Sequence, residues 1–214
     1  MIAAAHTHES VRAAIDDSDR FLIQQVFRPI GNEYRISVPA PGSKDEGEPL
    51  LFVKQKKLSL KEDIRFRLDP ERDDHLFMIK SKTVFEFAGR HDVLDDVGTV
   101  IGTLEKSFAK SLLRSHWVVR DAAGQELFSA EEQSLVIALV RRFAGYVPVA
   151  GSLLLEYIPF NFTFARGGAE AGRYSRVIGS FRDKYVLEPG EALEGVDRRL
   201  VLAFAVALDA LQDR

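Results

Sequence analysis

The chain has 214 residues, 46% of them apolar and 29% charged, with a net charge of −3. That is enough chain for a sizeable core and an ordinary soluble composition. It leaves no global positive field to gather nucleic acid or anionic lipid. There is no cysteine, which excludes disulfides, thiolate nucleophiles and cysteine-based metal sites and suits a reducing cytosol.

The first stretch, "MIAAAHTHESVRAAIDDSDR", lacks a basic start followed by a long apolar run, so it does not read as a signal peptide. Residues 1–19 read as a polar N-terminal tail with room for one short helix. His6 and His8 form an H-x-H pair with no third ligand nearby, which is adventitious metal chemistry rather than a site. Short segments rich in β-branched and aromatic residues follow: "FLIQQVF", "EYRISV", "LLFVKQKKL", "DIRFRL", "HLFMIKSK" and "VFEFA". These are strand signals. Ile64, Phe66 and Leu68 alternate with Arg65 and Arg67, so one face of that strand is buried and the other is wet, as in antiparallel sheets. "LDPERDD", "DDVG" and "DAAGQ" read as hairpin turns. The acids Asp73-Asp74 and Asp95-Asp96 are therefore turn formers. The longest loop, residues 39–49, carries three prolines and several charges and reads as a solvated insertion.

Between the third and fourth strands the chain is basic. "KQKKLSLKEDIRFR" places Lys54 and Lys56 on one face of a strand, and Arg65 and Arg67 on one face of the next. If the two strands pair, the four cations form one patch suited to a phosphate-rich headgroup or an anionic leaflet. The blander reading is a solvated face on which lysines resist edge pairing. Aromatic stacking residues are not interleaved on the basic face, so nucleic acid is not expected as a partner.

Further on, "SLVIALVRRFAGYVPVAGSLLLEYIPFNFTF", residues 134–164, is far more apolar. Leu135 to Phe143 reads as a short helix closed by Gly145, and Leu153 to Phe164 as strand, turn and strand. Leu139, Arg141, Arg142, Phe143 and Tyr146 make a pattern suited to packing on the body of the protein, to self-association or partner contact, or to shallow docking at a membrane interface. The residues leave these three open.

The tail, "GVDRRLVLAFAVALDALQDR", runs from Leu200 to Leu208 without a polar side chain. Crossing a bilayer takes roughly 20 mainly apolar residues, so this run is too short for a transmembrane span. A helix apolar on all sides is buried on all sides. We expect a central helix over 196–211, capped by Asp197, with Val196 and Val201 as a hydrophobic staple. Asp209 opposes the helix dipole, which calls for a wet mouth or a basic partner. Strands wrapped around such a helix imply a closed barrel, which also removes exposed edges. "HDVLDDVGTVIGTLEKS" and "HWVVRDAAGQELFSAEEQ" share a strand, acidic-Gly turn, strand plan, a weak internal repeat. The fifteen phenylalanines suit a lumen crowded around a helix.

The order of these motifs carries a resemblance. "RFLIQQVFRPIGNEYRI", the Asp/Gly hairpins, "GTVIGTLEKSFAKSLLRSHWVVRDAAGQEL" and "YVLEPGEALEGVDRRLVLAFAVALDAL" are together similar to the tubby C-terminal-like superfamily, and more closely to its branch of LURP-one-related proteins and phospholipid scramblases. The resemblance implies a mainly β domain over 20–212: a closed antiparallel barrel of about 12 strands enclosing a hydrophobic C-terminal α-helix. It further implies contact with anionic phospholipid or phosphoinositide surfaces in the cytoplasm or peripherally at a membrane. The chain lacks the cysteine cluster, the proline-rich N-terminus and the calcium-ligand segment of scramblases, which points away from calcium-driven scrambling. A scramblase-like lipid-handling protein stays as an alternative, beside a protein-interaction or homo-oligomeric scaffold using 134–164.

Nothing here reads as catalytic. His91-Asp92 and Ser115-His116 are adjacent on strands, where neighbouring side chains face opposite ways. G-x-S-x-G, P-loop and G-x-G-x-x-G patterns are missing. We expect no catalytic residue, no metal and no cofactor, and a binding protein rather than an enzyme.

Overall fold

The architecture comes from a computed structural model, which describes residues 7–26, 32–40, 43, 47–56, 63–81, 89–107, 116–132, 161–177 and 183–211. A nine-residue helix, α1 (His8–Asp16), leads into β1 (Phe21–Val26), β2 (Glu33–Ser37), β3 (Pro49–Lys56) and β4 (Asp63–Arg67). Then come β5 (Phe77–Ser81), β6 (Arg90–Asp95), β7 (Val100–Lys106) and β8 (His116–Asp121). The strands end with β9 (Glu126–Glu132), β10 (Asn161–Arg166), β11 (Ala169–Arg176) and β12 (Lys184–Pro189). A single 3-10 turn at Glu191–Leu193 precedes α2 (Arg198–Ala210). Each strand pairs antiparallel with its neighbours in sequence, and β1 pairs with β12 to close a twelve-stranded barrel. Closure leaves no strand of the barrel with an unpaired edge.

Alternation builds the lumen. Val53 of β3 lies opposite Phe66 of β4, and Phe66 opposite Phe77 of β5. The Phe66 and Phe77 rings stack at 4.1 Å. Helix α2 fills the space these side chains enclose, and every residue from Arg199 to Asp209 is buried. Phe204 meets the rings of Trp117, Phe128 and Phe164 edge-on at 6.1, 5.6 and 5.4 Å, the geometry favoured by aromatic quadrupoles. At Gly102 of β7 the helix comes close to the wall. A Cβ there would stand 2.8 Å from the Leu200 side chain and 2.4 Å from the Arg120 carbonyl oxygen.

The two ends of α2 are closed differently. At its N-terminus Asp197 Oδ1 accepts from the Arg199 amide at 2.9 Å, and the Arg199 guanidinium returns to the same carboxylate at 2.6 Å. Burial pushes the Asp197 carboxyl up, but the hydrogen bonds from Arg199 outweigh it and hold the group low. Helix α1 buries Val11 and Ile15 in the same core, and His8 Nδ1 lies 3.2 Å from Asp96 Oδ2. At the C-terminus, Asp209 accepts from Tyr34 Oη at 2.8 Å and from Tyr185 Oη at 2.6 Å. Gln55 donates to the Ala210 carbonyl at 3.3 Å, and Asn32 donates to Gln55 at 2.8 Å. The sequence reading asked for a wet mouth or a cation at Asp209. The mouth is not wet: Asp209 is only 6% exposed, and two phenols donate to its carboxylate.

The Asp-Gly hairpins repeat the same construction. Asp95 Oδ1 accepts from Thr99 N at 2.7 Å, and Asp121 Oδ1 from Gln125 N at 2.8 Å. Gly98 and Gly124 take φ of 88° and 85°, where a Cβ is strained. These acids are spent on turns. No helix among the described residues is long and apolar enough to cross a membrane. Leu139, Arg141, Arg142, Phe143 and Tyr146 lie outside the described residues, as does "VFEFA". The described end of the 134–164 segment is β10, whose Phe162 and Phe164 are wholly buried.

Candidate anion-binding face

The outer face of β2, β3 and β4 holds the predicted basic residues. β3 and β4 pair with Lys54 opposite Arg65, Phe52 opposite Arg67 and Lys56 opposite Asp63. On the other side of β3, β2 places Glu33 opposite Lys54 and Arg35 opposite Phe52. The outward positions therefore form rows across the strands: Arg35–Phe52–Arg67, then Glu33–Lys54–Arg65. Lys56 takes the next outward position of β3; its side chain lies outside the described residues. Like charges opposite one another repel, and acids are set among the cations. Glu33 stands 4.0 Å from Lys54 Nζ, and Asp73 stands 2.9 Å from Arg67 Nη2. Lys54, Arg65 and Arg67 share one face, but that face is chequered rather than uniformly positive.

Arg35, Phe52, Lys54 and Arg67 line a cleft of about 270 Å³ together with the acid Glu33, and Pro70 and Glu71 line it too. Those two residues belong to the loop joining β4 to β5. Arg67 is the unusual member. It projects outward, yet its side chain is only 6% exposed. Its Nη2 donates to Asp73 at 2.9 Å, while its buried Nε has no partner among the described residues. A guanidinium presents Nε–H and one Nη–H along a single edge, the fork that grips two oxygens of a carboxylate or phosphate. One terminal nitrogen of the Arg67 guanidinium is engaged and its Nε is not. His75 senses the same field: burial first, then the Arg65 charge, push its pKa below the usual histidine range.

Arg35 is absent from the sequence-derived set. Only the β2–β3 register places it across Phe52 from Arg67. The alternation of Glu33 and Arg35 with buried Tyr34 and Ile36 held the signal, and the missing step was which strand β2 would pair with.

The pairing of β5 with β6 makes one contact that adjacency in sequence hides. Ser81 lies opposite His91, and Ser81 Oγ is 2.8 Å from His91 Nδ1. Burial pushes the His91 pKa down to about 4, partly opposed by Asp92. An imidazole this acidic is a weak base near neutrality, so the pair reads as a satisfied structural contact. No group of three or more metal-ligating side chains occurs among the described residues.

The model of the LURP-one-related family matches residues 50–209, about three quarters of the chain. The chain belongs to the LURP-one-related family. The matched span runs from β3 to the end of α2, so the LURP-one-related match takes in Lys54, Arg65 and Arg67 and the loop beside them. Arg35 stands before it, on one of the two strands that close the barrel against β12 and β3. No curated protein matched the chain.

Proposed function

We propose that this LURP-one-related domain is a non-catalytic cytosolic binding module that takes a phosphate-bearing ligand in the cleft between β2, β4 and the β4–β5 loop. The observation that carries the reading is the convergence of Arg35, Lys54 and Arg67 on one cleft, with a buried guanidinium edge half unpartnered. Arg67 Nε is one of several buried donors without a partner among the described residues, beside Arg20 Nε and Arg65 Nε; what sets it apart is its place on the cleft, where an Arg fork matches phosphate geometry. The size of the cleft narrows the ligand. About 270 Å³ is at or below the small end of ligand pockets, roughly 300 Å³, so it suits a phosphorylated headgroup or a small polyphosphate and not an acyl chain. Phe52 offers an apolar floor between the two arginines, but a single aromatic is no stacking platform for nucleic acid.

Vesicle co-sedimentation tests this. Neutral phosphatidylcholine vesicles should not bind. Vesicles carrying phosphatidylinositol bisphosphate should bind in a salt-sensitive way. Free inositol hexakisphosphate as competitor tells a headgroup-only site from one that needs the membrane surface. Arg35→Gln and Lys54→Gln should each weaken binding about fivefold, at ~1 kcal/mol per basic residue. Binding that ignores both substitutions, or no binding to either vesicle or free phosphate, sinks the reading. The alternative contact through Leu139, Arg141, Arg142, Phe143 and Tyr146, with a second copy or a membrane interface, rests on sequence alone. It becomes the place to look if the cleft fails.

A further inference from the structure

The loop between Leu68 and Leu76 is anchored at both ends, since both leucines are buried and Leu76 N donates to the Phe66 carbonyl at 2.8 Å. Between them its acids have distinct fates. Asp69 Oδ1 accepts from the Glu71 amide at 2.8 Å, an internal turn, and Asp74 pairs with Arg72 at 3.3 Å. Asp73 alone among them reaches the cleft arginine, Arg67. Its side chain is 82% exposed while that of Arg67 is 6% exposed, so an exposed acid lies on a buried base.

The contact has the form of a ligand's first oxygen. Asp73 engages Nη2, and the unpartnered Nε lies on the same edge of the guanidinium. A phosphate that takes both hydrogens replaces one monodentate bond by a fork, which is the stronger arrangement. We propose that Asp73 is a built-in competitor. Its carboxylate occupies the anion position on Arg67, and the β4–β5 loop is a strap that must release Arg67 before a phosphate-bearing ligand can take the full fork. The proposal rests on the reading of the cleft as a phosphate site and assigns the regulation of that site.

The strap is tunable. A carboxylate this exposed contributes little to an ion pair because water screens it, so a ligand can displace it. Yet any anion must compete with it, so loosening Asp73 tightens the ligand, by at most the factor by which the closed strap depletes the open state. A change of charge or hydrogen bonding in the loop therefore sets the affinity without touching the cleft walls.

The experiment measures binding of inositol hexakisphosphate, and of phosphatidylinositol bisphosphate vesicles, to the full chain and to Asp73→Asn and Asp74→Asn. Both substitutions remove one negative charge from the same loop, so they shift long-range attraction alike. Only the first frees Arg67. Asp73→Asn should tighten binding about threefold to fivefold, the scale of an exposed ion pair, and Asp74→Asn should change it less than twofold. In an Arg67→Lys background, which keeps the charge and removes the fork, the gain from Asp73→Asn should vanish. Equal effects of the two asparagines, or no gain from Asp73→Asn, overturn the strap. If wild-type binding still depends on Arg35 and Lys54, the phosphate site then stands without it. If neither the wild type nor Asp73→Asn binds either probe, both fall together.

Discussion

Along β4, Ile64 and Phe66 point into the barrel and Arg65 and Arg67 point out, yet Arg67 at 5% exposure is nearly as dry as its inward neighbours at 0%. The inner face of the strand and one position of its outer face, Arg67, are thus both buried, by different means. Inside, burial comes from a helix apolar on every side, held by dispersion contacts and by apolar area removed from water at ~25 cal/mol per Å². Outside, it comes from a loop folding over a charged side chain. Such burial is costly unless the charge is paired and hydrogen-bonded. The inner face is redundant and the outer face is specific. Many lumen contacts share the load around α2, whereas the burial of Arg67 rests on one exposed acid and a short loop.

That contrast can be broken most severely from the inside. A chain starting at residue 50, which keeps the family-matched span but deletes β1 and β2, leaves β12 and β3 each with one unpaired edge. It should show no cooperative transition in circular dichroism, and a normal melt would mean the barrel closes without its first two strands. Ala205→Arg puts a charge at a position with 0% exposure inside α2 and should abolish folding outright. A folded, monodisperse variant by gel filtration would overturn the threaded barrel. Phe204→Ala removes the ring that Trp117, Phe128 and Phe164 surround. It should lower stability by about 3–5 kcal/mol in urea titration.

Acid should probe the wall between the two faces. His91 titrates near 4 in the folded protein against 6.5 ordinarily, so on acidification the unfolded chain takes up the proton first. Stability present above pH 6.5 is lost as pH falls from about 6.5 to about 4, by about 2 kcal/mol between pH 7 and pH 5. His91→Gln should flatten that slope. Asp197, lowered by Arg199, loses its contribution as pH falls below the ordinary aspartate range, so the two effects separate. The smallest change is expected on the outer face. Arg35→Gln and Lys54→Gln should each shift stability by no more than about 0.5 kcal/mol while weakening phosphate binding, and a large stability loss would recast the cleft as structural.

Much of the barrel was legible in the residues. Strand alternation at 64–68, the paired Asp-Gly turns and the apolar run at 200–208 are local patterns with few physical solutions, and the buried helix follows from them. Lys54, Arg65 and Arg67 were likewise readable as outward cations from alternation alone. Their surroundings were not. Arg35 joins Arg67 only through the pairing of β2 with β3 with β4, and Ser81 meets His91 only through β5 and β6. Asp73 read as a turn former, and its reach to Arg67 depends on how the loop lies over the sheet. Asp209 shows the same limit, since its two tyrosine donors come from opposite ends of the chain.

By itself the sequence determined which side of each strand is apolar, where the turns fall and that the last helix is buried, because periodicity and side-chain chemistry act over a few residues. Only the tertiary structure decided which charges meet, which are dried and which guanidinium edge is left half empty. Those outcomes depend on register between strands distant in sequence. A cation's character as solvated lysine face or ligand fork is set by what folds over it.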